Sequence, residues 1–270
     1  MDTEGGRRAV PRSETRGKVS KGGRNNRGRI TVRHRGGGVK RRRRKRVNGG
    51  ATTGYGRVRG IQYDPNRSGR VARRKVLGGE TVGLQKQSYR YVLAVEGRKV
   101  GDRIQYGEGM GKAEEAQTYK GVQRRGSHRK LKNRVGGLKV CNLSVSEGEG
   151  GKYRRSAGRS GELRQPRQGR AQIRRKGGML VEVSEECTAT VGMVAGEEHR
   201  KACKGKAGTN RRRGWRPTVR GEAMNPIDHP HGGRTRGGRP EVTPWARRAK
   251  GKPTRSPKKA YGKGWEVSGK

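Results

Sequence analysis

Asp228-His229-Pro230-His231 is the one constellation in this chain whose residue types and spacing could do chemistry. Histidine titrates near neutral pH, and its ring nitrogens can carry a proton, ligate a metal or hydrogen-bond a polar partner. An HxH pair beside an aspartate could begin a zinc site. A closed site needs a fourth ligand, however, and Pro230 stiffens the spacing without supplying one. A hydrolase would need a nucleophile in a recognisable setting, and no GxSxG string is present. The reading that suits the neighbouring residues is non-catalytic: both imidazoles hydrogen-bond or stack on a partner while the prolines fix the loop. No metal ligand set and no catalytic residue is assigned.

Two other candidates carry less. Gly107 to Lys112, GEGMGK, lacks the GxxxxGK[ST] spacing of a phosphate loop and reads as a turn between domains. Cys141, Cys187 and Cys203 lie far apart with no CxxC pair, so they read as three ordinary thiols of a reducing compartment, with neither a disulfide framework nor a zinc ribbon.

The segment that must position the histidines runs from Gly214 to Trp245. Its prolines remove backbone donors and push the preceding residues toward extended conformations. Its glycines supply bends that other residues resist. The expectation is a sharply turned ribbon, neither helix nor sheet, with no core of its own and shaped by what it touches. Arg216, Arg220, Arg234, Arg236 and Arg239 make that surface a negative one. Trp215, Trp245 and Trp265 suit base-stacking platforms or small local cores equally well.

Composition points the same way. The chain has 270 residues, a net charge of +48, 26% hydrophobic residues and no Phe. Self-repulsion on this scale opposes compaction until counter-charge arrives. Arginine, the commoner cation here, grips phosphate with two donors at once and stacks on bases. Nucleic acid is the partner this composition calls for. No apolar run approaches a membrane span, and there is no secretory h-region. The Arg-rich start is a poor presequence as it stands, but suits the remnant of one.

Charge density divides the chain. Residues 1–46 and 197–270 are basic arms around a less charged centre. In the first arm the block Arg41 to Arg46 reads as a phosphate-seeking tail. Ile30 to His34 alternates like a short strand, and Gly36 to Gly38 would let backbone approach a phosphate. The centre reads as β, with strand-like stretches at 57–63, 89–95, 102–107, 138–146, 171–175, 178–184 and 187–194. Lys176-Gly177-Gly178 is a hairpin signal. Residues 114–120 could give a helical turn or two. Many short strands with glycine-rich turns suggest small barrels.

Five strings in order resemble one family. They are Gly23 to Arg42 (GRNNRGRITVRHRGGGVKRR), Tyr63 to Gly69 (YDPNRSG), Val100 to Gly107 (VGDRIQYG), Lys206 to Trp215 (KAGTNRRRGW) and RPTVRGEAMNPIDHPHGG with the following GGRPEVTPW. Together they resemble the second protein of the large ribosomal subunit, the L-two family. The resemblance implies a mostly β fold: an OB-fold barrel (47–115) followed by an SH3-like barrel (116–196). A basic N-terminal arm (1–46) and an extended rRNA-binding C-terminal arm (197–270) flank them. It implies a structural, non-enzymatic role in translation, with large-subunit rRNA, neighbouring ribosomal proteins and small-subunit contacts as partners. No cofactor, small-molecule substrate or membrane is implied; structural Mg ions would be held by the rRNA.

The RNA contacts it implies fall on Arg24, Arg29, Arg33, His34, Arg35, Lys40, Arg41, Arg42, Arg67, Lys206, Arg211, Arg212, Arg213, Trp215, Arg216, Arg220, Asn225, Asp228, His229, His231, Arg234, Arg236, Arg239 and Trp245. The loop bearing His229 is expected near the peptidyl-transferase RNA, where His229 supports chemistry done by RNA. The chain departs from the pattern at Val39 and Arg43, where a histidine and an aromatic are expected. The stretch RRRRKRVNGGATTG puts the first OB strand in question. The tip after Gly233 is three residues short. Asp228 and GGRPEVTPW point to a ribosome of the mitochondrial matrix, with plastid and bacterial cytoplasm as alternatives. The competing class is an Arg/Gly-rich disordered RNA- or chromatin-binding protein, which would not alternate valine and tyrosine at strand period across the centre.

Overall fold

The computed structural model describes residues 10–44, 54–78, 89–106, 125–165, 168–233 and 240–249. These residues form two compact units, one of residues 10–18 and 40–203, the other of 19–39 and 204–249.

Strands dominate the described residues of the larger unit, with short 3-10 turns at Arg12–Glu14, Leu131–Asn133 and Glu197–Arg200. A two-stranded ribbon pairs β1 (Thr15–Lys18) with β2 (Arg41–Arg44). The arginine block is thus a strand over Arg41–Arg44, where a tail was expected. The charge does not prevent pairing because alternate side chains point to opposite faces. Arg42 Nε also donates to Thr15 Oγ1 at 2.8 Å. Glu14, just before the ribbon, receives Arg73 Nε on Oε2 at 2.9 Å, and the Arg73 guanidinium lies 3.7 Å from the Tyr89 ring centroid.

The first barrel is built from β3 (Gly54–Gln62), β4 (Val71–Gly78), β5 (Tyr89–Leu93) and β6 (Arg103–Tyr106). β3 lies between β4 and β6, antiparallel to both. It matches the strand expected at 57–63; of the stretch that put the first OB strand in question, residues 45–53 lie outside the described residues. Gly56 and Val58 face inward and Arg57 and Arg59 outward, the period of two that a half-buried strand requires. Val58, Ala72, Ala94, Ile104 and Tyr106 form the core.

The second barrel comprises β7 (His128–Lys130), β8 (Lys139–Cys141), β9 (Gly161–Leu163), β10 (Arg170–Arg174), β11 (Leu180–Ser184) and β12 (Thr188–Val191). The expected hairpin joins β10 to β11: Gly177 and Gly178 take φ of 112° and 85°, and Arg175 N–H donates to the Met179 carbonyl at 2.8 Å. Leu131, Val140, Leu143, Leu163, Ile173, Val181 and Val183 fill its interior. A third cluster, Leu93, Val95, Cys141 and Val194, joins the barrels. A parallel pairing of Tyr106 with His128 makes the ten strands one continuous ladder. The architecture is the mostly β one expected, an OB-fold barrel followed by an SH3-like barrel. The strings at 107–112 and 114–120 lie outside the described residues. No helix among the described residues is long and apolar enough to cross a membrane.

Candidate nucleic-acid interface

The smaller unit is held by backbone and glycine rather than by apolar packing. In its N-terminal part Asn25 organises a tight loop. Its Oδ1 accepts the Arg27 and Arg29 N–H groups, both at 3.0 Å, and its own N–H donates to the Arg29 carbonyl at 2.9 Å. The arginine side chains of this loop, Arg24, Arg27 and Arg29, are left exposed. The following ITVRH stretch is not a strand. The Gly23 carbonyl accepts both the Thr31 and Val32 N–H groups, which curls the chain, and only Ile30 and Arg35 form isolated bridges. A Cβ on Gly23 would stand 2.0 Å from the Val32 carbonyl oxygen, so only glycine permits the curl.

The C-terminal part opens with a six-residue helix, α1 (Ala207–Arg212). The two parts then zip together. Gly36 N–H donates to the Gly214 carbonyl (3.1 Å), Val39 N–H to Arg212 (2.9 Å) and Arg216 N–H to His34 (3.1 Å). Gly38, at φ 85°, is required here because a Cβ would sit 2.6 Å from the Gly214 nitrogen. The glycine run therefore admits another backbone, where a phosphate was expected. The two ribbons shape each other, which sequence order could not show.

Aromatic side chains carry arginines on this unit. The Arg35 guanidinium lies 3.8 Å from the Trp215 ring centroid and Arg33 lies 5.2 Å from Trp245. Both indoles stay exposed, Trp215 at 44% and Trp245 at 65%. Neither is buried in a local core, and Trp265 lies outside the described residues.

The histidine loop is the most constrained piece. Asp228 and His229 N–H groups both donate to the Asn225 carbonyl, at 3.0 and 3.2 Å, and Gly232 N–H returns to the His229 carbonyl at 2.8 Å. The His229 ring is 8% exposed and packs on Gly221, where a Cβ would come within 2.5 Å of the ring. Three tautomers follow from the partners. The His231 N–H donates to His229 Nδ1 at 3.0 Å, so that nitrogen carries no proton and the ring proton is on Nε2. His231 Nε2 meets the Pro240 carbonyl at 2.9 Å and His34 Nδ1 the Pro217 carbonyl at 3.3 Å; carbonyls only accept, so both nitrogens are protonated. His229 is thus presented as a donor through Nε2. The two rings lie 4.8 Å apart, tilted by 54°.

The structure brings together Arg24, Arg29, Arg33, His34, Arg35, Lys206, Arg211, Arg212, Arg213, Trp215, Arg216, Arg220, Asn225, Asp228, His229, His231 and Trp245 in this one unit. Lys40, Arg41, Arg42 and Arg67 belong to the barrel unit. Arg67 Nε is bound to the buried Asp64 carboxylate at 3.0 Å, with its side chain only 14% exposed, which separates it from the solvent-facing arginines. Arg234, Arg236 and Arg239 lie outside the described residues. Two surface features were missed. Arg27 stands beside Arg24 and Arg29, and the recurrence of arginine among small polar residues in GRNNRGR could have flagged it. Ile227 is 93% exposed at the loop tip, an apolar residue bracketed by Pro226 and Asp228.

Exposed arginines on a glycine-fixed frame give the smaller unit the character of a nucleic-acid-binding scaffold. Comparison with known proteins gives the particular family. The profile for the ribosomal protein L2 RNA-binding N-terminal domain matches residues 12–106, and that for the L2 C-terminal domain matches residues 124–250. The large ribosomal subunit protein uL2 of Alcanivorax borkumensis is 42% identical over 248 residues, covering 90% of this chain and 83% of the relative. Those of Paracoccus denitrificans and Dinoroseobacter shibae are 41% and 39% identical, covering 92% and 93% of this chain and 83% and 85% of theirs. The chain belongs to the ribosomal protein L2 family.

Proposed function

We propose that this protein is a structural constituent of the large ribosomal subunit that binds large-subunit rRNA and supports its peptidyl-transferase region. The observation that carries this is the smaller unit, whose exposed arginines surround a rigid loop that offers His229 Nε2–H as a donor. Such a unit, lacking an apolar core, gains from a polyanion both counter-charge and contact surface. In the proposed division of labour the barrels (47–115 and 116–196) place the arms (1–46 and 197–270) on RNA. Neighbouring ribosomal proteins and the small subunit contact the remaining surfaces, and Mg ions belong to the RNA. The Asp228 and GGRPEVTPW features favour a ribosome of the mitochondrial matrix over the alternatives, plastid and bacterial cytoplasm, although the relatives compared above are bacterial; a fluorescently tagged chain found outside mitochondria overturns that part.

Binding to a large-subunit rRNA fragment should weaken with salt at a slope steeper than about −6 in log K against log [salt]. A slope near −1 or −2 rejects RNA as the use of the charge. For the loop, reconstituted subunits carrying His229→Gln should keep part of the peptide-bond-forming activity, since an amide N–H can replace the Nε2 donor. His229→Ala should lose more, by about 1–3 kcal/mol for the unpaired partner. Equal and near-complete loss in both, with normal assembly, would make the imidazole a proton-transfer group and overturn the supporting role.

A further inference from the structure

Where the two barrels meet, the larger unit holds a partly open cavity with about 40 Å³ of space for water centres. Tyr91, Arg98 and Tyr106 line it from the first barrel; His128, Asn142 and Arg155 line it from the second. Four sealed polar atoms of these residues have no protein partner among the described residues: Arg98 Nε, Arg155 Nε, the Tyr106 hydroxyl and His128 Nε2. The side chains are deeply set. Arg98 is 6% exposed, and His128 and Tyr106 are 2% and 4% exposed.

The cavity is cationic. Among the described residues no carboxylate lines it. The carboxylate nearest to Arg98 is that of Asp102, 3.9 Å from Nη1 and itself 43% exposed, and the same Nη1 donates to the Arg103 carbonyl at 3.1 Å. Arg74, 2% exposed, stands over the Tyr106 ring with its guanidinium carbon 3.4 Å from the centroid, which adds positive charge; the hydroxyl makes no hydrogen bond of good geometry among the described residues. The backbone makes room for this arrangement: Gly126, at φ 81°, would with a Cβ press within 2.2 Å of Arg98 Nη2.

Asp102 faces Arg98 only at 3.9 Å and from a half-exposed position, and no ion pair holds Arg74 or Arg155 among the described residues; buried charges so weakly countered are costly, and sealed donors without acceptors add to that cost. A polar cavity of this size is large enough for a small guest, since one water centre needs roughly 10–15 Å³. Water would satisfy donors but leave the charge. We propose that the cavity is a binding site for one small inorganic anion of halide size, held by Arg98, Arg155 and the Tyr106 hydroxyl at the barrel junction. A phosphodiester, with two sugar links, has no room there, so this site is separate from the RNA-facing arginines.

The test is thermal unfolding of the purified full-length chain, followed by circular dichroism at fixed ionic strength. Sodium bromide progressively replaces sodium gluconate, whose anion is too large to enter. The wild-type Tm should rise with bromide and saturate. In Arg98→Met and Tyr106→Phe the half-saturating concentration should move up tenfold or more. General screening of the charged chain would act on all three proteins alike, so an equal bromide response overturns the site. Should Arg98→Met fail to fold, Tyr106→Phe, which removes only a hydroxyl, still decides the question. Bromide anomalous scattering from crystals of the wild-type chain gives a second reading: a peak beside Arg98 Nε and the Tyr106 hydroxyl supports the site, and its absence at saturating bromide refutes it.

Discussion

The two units solve opposite problems. Among the described residues every buried apolar side chain lies between Val58 and Ala195, in the barrels. Among the described residues of the smaller unit the one buried side chain is that of His229. The barrels remove Leu, Ile, Val and Tyr side chains from water, at roughly 1.5–3 kcal/mol for each large one. Some of their inward-set charges are paired, as in Arg73 with Glu14, or stacked on an aromatic ring, as in Arg74 with Tyr106, while others such as Arg57 and Arg59 face solvent. The smaller unit instead closes its backbone through glycines and leaves its cations outside. One unit is stabilised by what it hides and the other is organised for what it shows. A chain of net charge +48 can therefore fold locally, because its apolar residues are concentrated where its charge density is lowest.

The largest expected effect tests this contrast directly. Leu131 and Leu163 are both 0% exposed in the second barrel. Leu163→Ala should lower the stability of the free chain by about 2–5 kcal/mol through lost transfer energy and a residual cavity. Urea unfolding of the barrel signal measures this. A loss under about 1 kcal/mol would mean that the barrel core does not carry the fold.

Next in size is a pH effect confined to the barrels. Burial first, then the charges of Arg134 and Arg74, push His128 down from 6.5 to about 4. Its folded pKa lies below its unfolded one, so the unfolded chain takes up the proton first as pH falls. The contribution is fully present above pH 6.5 and is lost progressively toward pH 4, amounting to about 3 kcal/mol over that window. In gluconate buffer, wild-type stability should fall between pH 7 and 4.5 by visibly more than that of His128→Gln, which cannot titrate there. Parallel pH curves would show that the imidazole protonates freely in the fold. In bromide the wild-type fall should be shallower, since an anion beside the ring offsets its charge.

Gly38→Ala brings the comparison to the smaller unit. The new Cβ meets the Gly214 nitrogen at 2.6 Å and the Arg212 oxygen at 2.7 Å, with φ at 85°. Strain of about 1–3 kcal/mol should separate the two ribbons there. Barrel unfolding should be unchanged, while rRNA affinity falls about tenfold because Arg33, Arg35 and Arg216 lose their shared frame. A barrel destabilised as much as the RNA contact would erase the distinction between the units.

These contrasts explain what the sequence discloses. Strands β3, β5, β6, β10, β11 and β12 are legible because Val, Ile, Leu and Tyr alternate with polar residues or are bounded by glycine. β4 is not, since VARRKVLG places an arginine on the inward face; only the Tyr106 ring beneath Arg74 makes that tolerable. The ribbon of β1 with β2 is hidden because a run of arginines looks like a solvated tail. In the smaller unit the strings name the residues but not their meeting. Pairing between residues 34–39 and 212–216 depends on glycines far apart in the chain, and no period announces it. The burial of His229 likewise depends on Gly221, whose absent side chain is the space the ring occupies.

The smallest effect discriminates most finely between the two roles of an aromatic ring. Arg74 on Tyr106 is sealed in the barrel junction, whereas Arg35 on Trp215 is at the surface, with the indole 44% exposed. An exposed cation–π contact contributes only about 0.5–1 kcal/mol. In the free chain, then, Arg35→Met, Trp215→Leu and the double variant should all lie within about 1 kcal/mol of wild type. On RNA the same residues should count for more. A base stacked on the free face of Trp215 adds roughly 1–3 kcal/mol, and Arg35, held on the other face, reaches phosphate without losing that stack. A double-mutant cycle on rRNA affinity should therefore return a coupling larger than the one measured on stability. Equal couplings would make the pair a local fastening of the two ribbons, and the exposed indole would then be incidental to RNA binding.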